Sequence, residues 1–420
     1  MEKLFSWLKN HHIIYVNRSF ERAFGIDPTN PDFSIISNES VFAKSKTQKN
    51  SHILLIEATT LLNSWQLLEH PTSLEYIKNK KSQVGPMHFG GIIVYKPTQK
   101  IERICSEHNI PLLNPPTSLT NTIEGKISQV TWLEELAQHL PPHQTDIAKN
   151  LVWNYEPFIL QFNQGHTGSS TQLIESEADL ETIKKTFPER PVRTSAFVKG
   201  PTFTCNAIVS KDAVHLGPLS YQITGMAPFT NHAFATIGND WELPHKILSY
   251  EQMAKIKEIT HAVGRKMQKQ GWRGAFGVDI ITEQKTGNIY LLEINARQPA
   301  SVTYESNLQK KHTSKSAKNM MTTFEAHIAA LAGISTKEYS ITPLKKGAQV
   351  LVRKTENSKN VIPEKTKKSL EKIDLTLIVS EKEIVGNELL RIQSEESLMQ
   401  ADQRFNEKGK RIVKIIQETL

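Results

Sequence analysis

The sequence predicts an α/β unit followed by α+β units, and three observations carry that prediction. Short apolar runs alternate with helical or polar stretches up to about Pro116. A texture of strand, glycine-rich turn, strand and helix begins near Pro157, and a last strand-containing segment ends in an amphipathic helix. A chain of 420 residues is too long for one compact core, so two or three structural units are expected. We expect an N-terminal α/β domain over 1–116, a central domain over 117–335 with its smaller lobe at about 150–200, and a small C-terminal α+β domain over 336–420.

In chain order, "IIYV", "FSII", "HILLIEA" and "GGIIVY" read as buried strands, "TQKIERICSEHNI" as a helix and "PLLN" as a further short strand. After the turn-rich "NPPTSL", Thr122 to Gln138 reads as one helix with Val130, Leu133 and Ala137 on one face, ended by "LPPHQTD". "PFILQF" and "TQLIES" are strands around "NQGHTGSS", and "EADLETIKKTF" is a helix with an acidic first turn. Two more strands flank Gly200 in "RTSAFVKGPTFTCNAIVS". "YEQMAKIKEITHAVGRKMQKQG" has helical spacing, with Gly271 at the C-terminal stop. "GAQVLVRK" and "DLTLIVS" are strands, and "RFNEKGKRIVKIIQETL" is a closing helix expected to dock on its own domain rather than on a membrane.

Composition narrows the function classes. The net charge of +8 comes from 51 basic against 43 acidic residues, too thin an excess to predict a specific nucleic-acid partner. Two cysteines, Cys105 and Cys205, give neither a disulfide framework nor a Cys-based metal site. The first residues lack a secretory pattern and no apolar run is long enough to span a bilayer, so a cytoplasmic protein with no membrane contact is expected. None of the 15 histidines falls in a zinc spacing, and GxGxxG and Walker patterns are absent.

The chemistry-bearing stretch is "GVDIITEQKTGNIYLLEINARQPAS", Gly277 to Ser301, which reads as a hairpin with its loop at Gln284 to Asn288. In that register Asp279 lies opposite Glu293. Facing carboxylates repel unless a cation lies between them. Period-two geometry places Leu291, Glu293, Asn295 and Arg297 on one side. Such oxygen donors suit a hard divalent cation, magnesium with manganese as its substitute, carried by a nucleotide. In "FILQFNQGHTGSST", Gly165 and Gly168 flank small hydroxyl residues between two strands, a composition able to fold over phosphates; His166 reads as a solvent-facing turn residue. Gln222, Asn239 and Asp240, in glycine-containing polar turns, are candidate substrate contacts.

Taken in order, these pieces resemble the ATP-grasp superfamily of carboxylate–amine ligases, biotin-carboxylase-like and carbamoyl-phosphate-synthase-like enzymes, over roughly residues 120 to 335. The resemblance implies an N-terminal domain preceding a two-lobed ATP-grasp domain that clamps ATP. It implies that Asp279, Glu293 and Asn295 hold magnesium, and that Arg297 stabilises the transferred phosphoryl group or acyl-phosphate. Lys126 in "IEGKISQ" matches an early phosphate-contacting lysine, and Gly165, Thr167, Gly168, Ser169 and Ser170 match the phosphate loop. Ala196, Phe197 and Val198 in "SAFVKG" would offer backbone hydrogen bonds to adenine. Family members usually place a second lysine where this chain has Gln161, which brings no positive charge; Lys199 is a candidate to compensate.

The implied activity is an ATP-dependent carboxylate–amine ligase acting through an acyl-phosphate on small-molecule substrates, an amino acid or peptide among them. The alternatives are a biotin-carboxylase-like carboxylation and, from another class, a non-catalytic nucleotide-binding regulatory protein. The sequence is compatible with a homo-oligomer.

Overall fold

The computed structural model describes residues 2–47, 52–163, 171–312, 319–354, 362–379 and 388–419. Strands β1 (His12–Asn17), β2 (Phe33–Asn38), β3 (Ile53–Ile56) and β4 (Phe89–Val94) form a parallel sheet in the order β3-β2-β1-β4. A parallel sheet is covered on both faces, which is why β1 and β2 are buried at every position. Ile13 and Tyr15 point into a cluster with Phe20 and Phe324, while Ile14 and Val16 point into another with Leu67 and Ile104. The expected strand at "PLLN" contributes a single bridge, Leu112 to Ile92.

The smaller lobe is a second, antiparallel sheet. Its strands β5 (His143–Ile147), β6 (Phe158–Phe162), β7 (Thr171–Ile174) and β8 (Pro191–Ala196) run in the order β5-β8-β6-β7. The helix Glu177–Thr186 packs on it through Leu180 and Ile183, against Leu160, Phe162 and Val192. Ser176 starts that helix, its hydroxyl accepting from the Asp179 N–H at 3.2 Å.

The largest sheet holds β9 (Thr202–Val209), β10 (Val214–Thr224), β11 (Thr236–Asp240), β12 (Gly274–Thr282) and β13 (Ile289–Asn295). After a minor ladder of β14 (Met320–Met321) with β15 (Ser340–Ile341), it continues with β16 (Ala348–Arg353), β17 (Thr376–Val379) and β18 (Glu388–Ser394). The order is β13-β12-β9-β10-β11-β16-β18-β17. The helix Tyr250–Lys269 lies across it, opened by a Ser249/Gln252 capping box and stopped before Gly271, whose φ of +84° suits glycine. Its Ile256, Ile259, Val263 and Met267 share one core with Phe203, Phe276 and Leu291. Ile412 and Ile416 of the closing helix Glu407–Thr419 enter the same core, so that helix does dock on the protein. We retain 1–116, 117–335 and 336–420 as a proposed division, although the sheet runs through its last boundary by pairing β11 with β16.

One element departs from expectation in a way that shapes the site. The single helix expected over Thr122–Gln138 is broken into Thr117–Glu124, Ser128–Leu133 and a 3₁₀ turn, Glu134–His139. Asn163 is the cause. Its carbonyl accepts from the Lys126 N–H at 3.0 Å and its Oδ1 from the Ile127 N–H at 3.0 Å, so those donors leave the helical ladder. The break turns Lys126 inward until it is buried. No helix among the described residues is long and apolar enough to cross a membrane.

Candidate active site

The hairpin and the pair read from the sequence are both present: β12 pairs antiparallel with β13, and Asp279 is the partner of Glu293. Its alternation, however, is interrupted. A bulge skips Leu292 between the pairs Asp279–Glu293 and Ile280–Leu291, which swings Leu291 into the core with Ile294 and Ala296. Leu291 is therefore not on the side of Glu293, Asn295 and Arg297.

Those three residues do converge with Asp279. Asn295 Nδ2 donates to Asp279 Oδ2 at 3.0 Å, and Arg297 Nη2 donates to Asn295 Oδ1 at 2.6 Å. Thr204 on β9 donates its hydroxyl to Asp279 Oδ1 at 2.8 Å. Lys126 arrives from the broken helix, its Nζ 2.8 Å from Glu293 Oε1. Burial alone would raise both carboxyls. For Glu293 the Lys126 ammonium outweighs it, helped by Arg297 and Arg193, and holds the group below its ordinary value. Asp279 has no such contact; burial and then the facing Glu293 push it up to about 6. The repulsion inferred from the sequence is thus present; Lys126 lowers both carboxyls but outweighs burial only at Glu293.

Among the described residues no three His, Cys, Asp or Glu side chains gather as a metal site. Two carboxylates and an amide oxygen nevertheless fit magnesium, which takes few protein ligands and completes its shell with phosphate and water. The electrostatics agree, because Asp279 lies in a position that disfavours its charge unless a cation comes near.

Arg297 is held from two sides. It pairs with Glu124, and its Nε donates to the Tyr95 hydroxyl at 3.4 Å. Glu124 also takes Lys96 at 2.5 Å, so this carboxylate ties β4's end to the hairpin. Burial pushes the Tyr95 phenol up, but Arg22 and Arg297 outweigh it and bring the group down to about 8.

Gln161 is not left without a cation, though Lys199 does not supply it. Lys199 lies over the Phe197 ring. Instead, β6 pairs with β8 so that Gln161 faces Arg193, whose Nη2 and Nε donate to Gln161 Oε1 at 2.5 and 3.1 Å. Gln161 Nε2 in turn donates to Thr171 at 3.1 Å. Arg193 Nη2 also lies 3.4 Å from the Leu292 carbonyl across the lobes, and its Nη1 is buried without a hydrogen-bond partner among the described residues. Sequence reasoning missed Arg193, because nothing local reveals which residue faces Gln161.

The remaining candidates divide. Of the expected adenine-binding trio Ala196, Phe197 and Val198, the Ala196 N–H is committed to the Pro142 carbonyl at 2.8 Å, so that one donor is spent. Gly165, His166, Thr167, Gly168, Ser169 and Ser170 lie outside the described residues. Gln222 is buried and donates to Thr204 at 2.5 Å, one bond removed from Asp279, whereas Asn239 bonds Ser220 and Gln349. Asp240 is no substrate contact: it is fully buried and accepts from the Ser397 hydroxyl and the Leu398 and Met399 N–H groups, anchoring the C-terminal segment.

Comparison with known proteins adds to this geometry. A sequence profile of the ATP-grasp domain matches residues 123–301. No curated protein matches the sequence. Among solved structures, N5-carboxyaminoimidazole synthase from Aspergillus clavatus, in complex with ADP and 5-aminoimidazole ribonucleotide, superposes with a TM-score of 0.64 at 13% identity over 98% of this chain and 99% of that one. L-amino acid ligase from Bacillus licheniformis does so with a TM-score of 0.63 at 12% identity over 98% of each chain. N5-carboxyaminoimidazole ribonucleotide synthetase from Thermotoga maritima gives 0.60 at 13% identity over 97% of each. At these identities the likeness is one of fold.

Proposed function

With residues 123–301 forming an ATP-grasp domain, we propose that this protein is an ATP-dependent carboxylate–amine ligase acting on small molecules, an amino acid or peptide among them. One observation carries the reading: Lys126, Arg193, Asp279, Glu293, Asn295 and Arg297 meet from separate segments in one patch between two lobes. Phosphoryl transfer needs positioned charge more than a protein nucleophile, and this patch offers charge of both signs.

Asp279, Glu293 and Asn295 would hold magnesium, or manganese, which supplies charge neutralisation at the phosphate oxygens. Lys126 and Arg193 would take phosphate oxygens when ATP arrives, Lys126 leaving Glu293 to do so; the ion pair with Glu293 and the unpartnered Arg193 Nη1 support this reading. A substrate carboxylate oxygen attacks the γ-phosphorus and the bond to ADP breaks. Arg297 faces the charge of the resulting acyl-phosphate. The amine nitrogen then bonds the acyl carbon, the bond to phosphate breaks, and the ammonium proton leaves to solvent.

The test supplies Mg-ATP with a panel of amino acids and dipeptides, one carboxylate labelled with ¹⁸O. Amide, ADP and singly labelled phosphate in equal amounts are the expected products; AMP with pyrophosphate would refute the reading. ADP release that needs bicarbonate and biotin would indicate carboxylation instead, and tight ATP binding without turnover across the panel a regulatory protein.

Arg193 gives a second prediction. Arg193→Ala should raise KM for ATP by about ten- to a hundredfold, the size of a lost charge-assisted hydrogen bond. Adding Gln161→Lys to that variant should restore most of the loss. Steady-state kinetics with varied ATP reads both, and a KM unmoved by Arg193→Ala would remove the residue from the phosphate site.

A further inference from the structure

The strand order of the parallel sheet reverses between β1 and β4, and ligands of open α/β sheets bind at the carboxyl ends of strands at such a switch point. A cleft of about 280 Å³ opens at this place, between Asn17 and Arg18 at the end of β1 and Tyr95 and Lys96 after β4. Its charged lining residues are Arg18, Arg22 and Lys96, and no acidic residue lines it among those described. Trp65 supplies a flat apolar wall.

Two donors in the cleft are unanswered. Arg22 Nη1 and Asn17 Nδ2 are buried and lack hydrogen-bond partners among the described residues. Buried donors are rarely left so, because each forfeits its hydration. Arg22 lies over the Tyr95 ring, 4.0 Å from its centroid, and Arg18 spends one donor on Asn63 at 3.2 Å. Burial and then the charge of Arg22 lower the Arg18 pKa, the mark of a guanidinium held beside a second one. Lys96 is already paired with Glu124. The cleft is also joined to the patch described above, since Tyr95 on its wall accepts from Arg297.

We propose that this cleft binds an anionic group, a carboxylate or a phosphate, on the acceptor substrate, held by Arg18, Arg22 and Asn17 with its body against Trp65. The assignment of that anion to an acceptor rests on the ligase reading. A substrate so held extends past Tyr95 toward Arg297, which restricts acceptors to molecules with a second polar group beyond the one that reacts.

The experiment titrates the whole protein with inorganic phosphate, malonate and the neutral malonamide at constant ionic strength, with and without saturating Mg-ADP, following tryptophan fluorescence and heat of binding. Saturable binding of phosphate or malonate that persists under Mg-ADP is expected, with malonamide silent. The preferred probe tells phosphate from carboxylate. Arg18→Gln, at a half-buried position, should weaken that binding by about tenfold and leave Mg-ADP affinity unchanged. Arg22→Gln should do more if it folds. Absence of saturable anion binding, competition by Mg-ADP, or equal affinity in Arg18→Gln would overturn the proposal. Anion binding to a protein that fails to bind Mg-ADP would keep the cleft and sink the ligase reading instead.

Discussion

Asp279→Asn is expected to lower ATP turnover by about a hundred- to a thousandfold, the range for loss of one preorganised charge at a reacting centre, while leaving the fold as stable as before or more so. The two halves of that expectation have one cause. Asp279 accepts from Thr204 and Asn295, and an asparagine side-chain oxygen can keep one of those bonds. What it cannot keep is the charge, and the charge is unfavourable in the resting protein, since burial and Glu293 push the carboxyl up to about 6. Removing it relieves repulsion in the folded state and takes away an anionic ligand from the working one. A side chain with a purely structural role would lose stability and activity together. Thermal unfolding beside single-turnover ADP release separates the cases, and wild-type turnover in Asp279→Asn would end the metal assignment.

Glu293→Gln makes an informative companion. Lys126 is buried and Glu293 is its ion-pair partner, so this variant leaves an ammonium without its counter-ion and should lower stability where Asp279→Asn does not. Because Glu293 is partly exposed, solvent screens part of the loss. The two carboxylates face each other across the strands, yet the lysine makes their substitutions unequal.

What could be read from the sequence was whatever depends on neighbours along the chain. Alternation in "GVDIIT" and "IYLLEIN", with "TGN" between them, predicts a hairpin with Asp279 opposite Glu293, and that pair is observed, although it is the bulge that brings it about: the pairs nearer the turn, Thr282–Ile289 and Ile280–Leu291, would by themselves set Asp279 opposite Leu292. The bulge at Leu292 could not be read, because a bulge is set by what the strand packs against. The break at Gly125 to Ile127 depends on Asn163, which lies 36 residues from Ile127 and on another lobe. Arg193 and Glu124 were missed for the same reason: each acts through a partner supplied by a distant segment, Gln161 for one and Lys96 with Arg297 for the other. The chemical types were legible, and the cross-lobe pairings that charge them were not.

Behind the patch, Glu305 on the helix Val302–His312 should make stability depend on pH, and Glu305→Gln should remove that dependence. Glu305 is wholly buried. Its Oε2 accepts from Asn206 at 2.8 Å and Trp241 at 3.2 Å, and its Oε1 from Thr323 at 2.5 Å. Burial dominates those three bonds and pushes the carboxyl from its ordinary 4.5 up to about 7. The folded chain therefore keeps a proton that the unfolded chain has released across that window. The stabilisation is complete below about 4.5, and it is lost as pH rises through about 7. The difference amounts to about 3 kcal/mol between the two ends of the window. Glutamine is neutral throughout and can still accept from Asn206 and Trp241 while Thr323 turns its hydroxyl toward Gln309, 3.3 Å away. Wild type and Glu305→Gln should unfold alike near pH 5, with the variant the more stable by several degrees at pH 8. Every other titrating group is common to both proteins, so parallel profiles would show that Glu305 keeps an ordinary pKa. Asn206 lies on β9 two residues from Thr204, which holds Asp279, so ionising Glu305 loads the strand that carries the site.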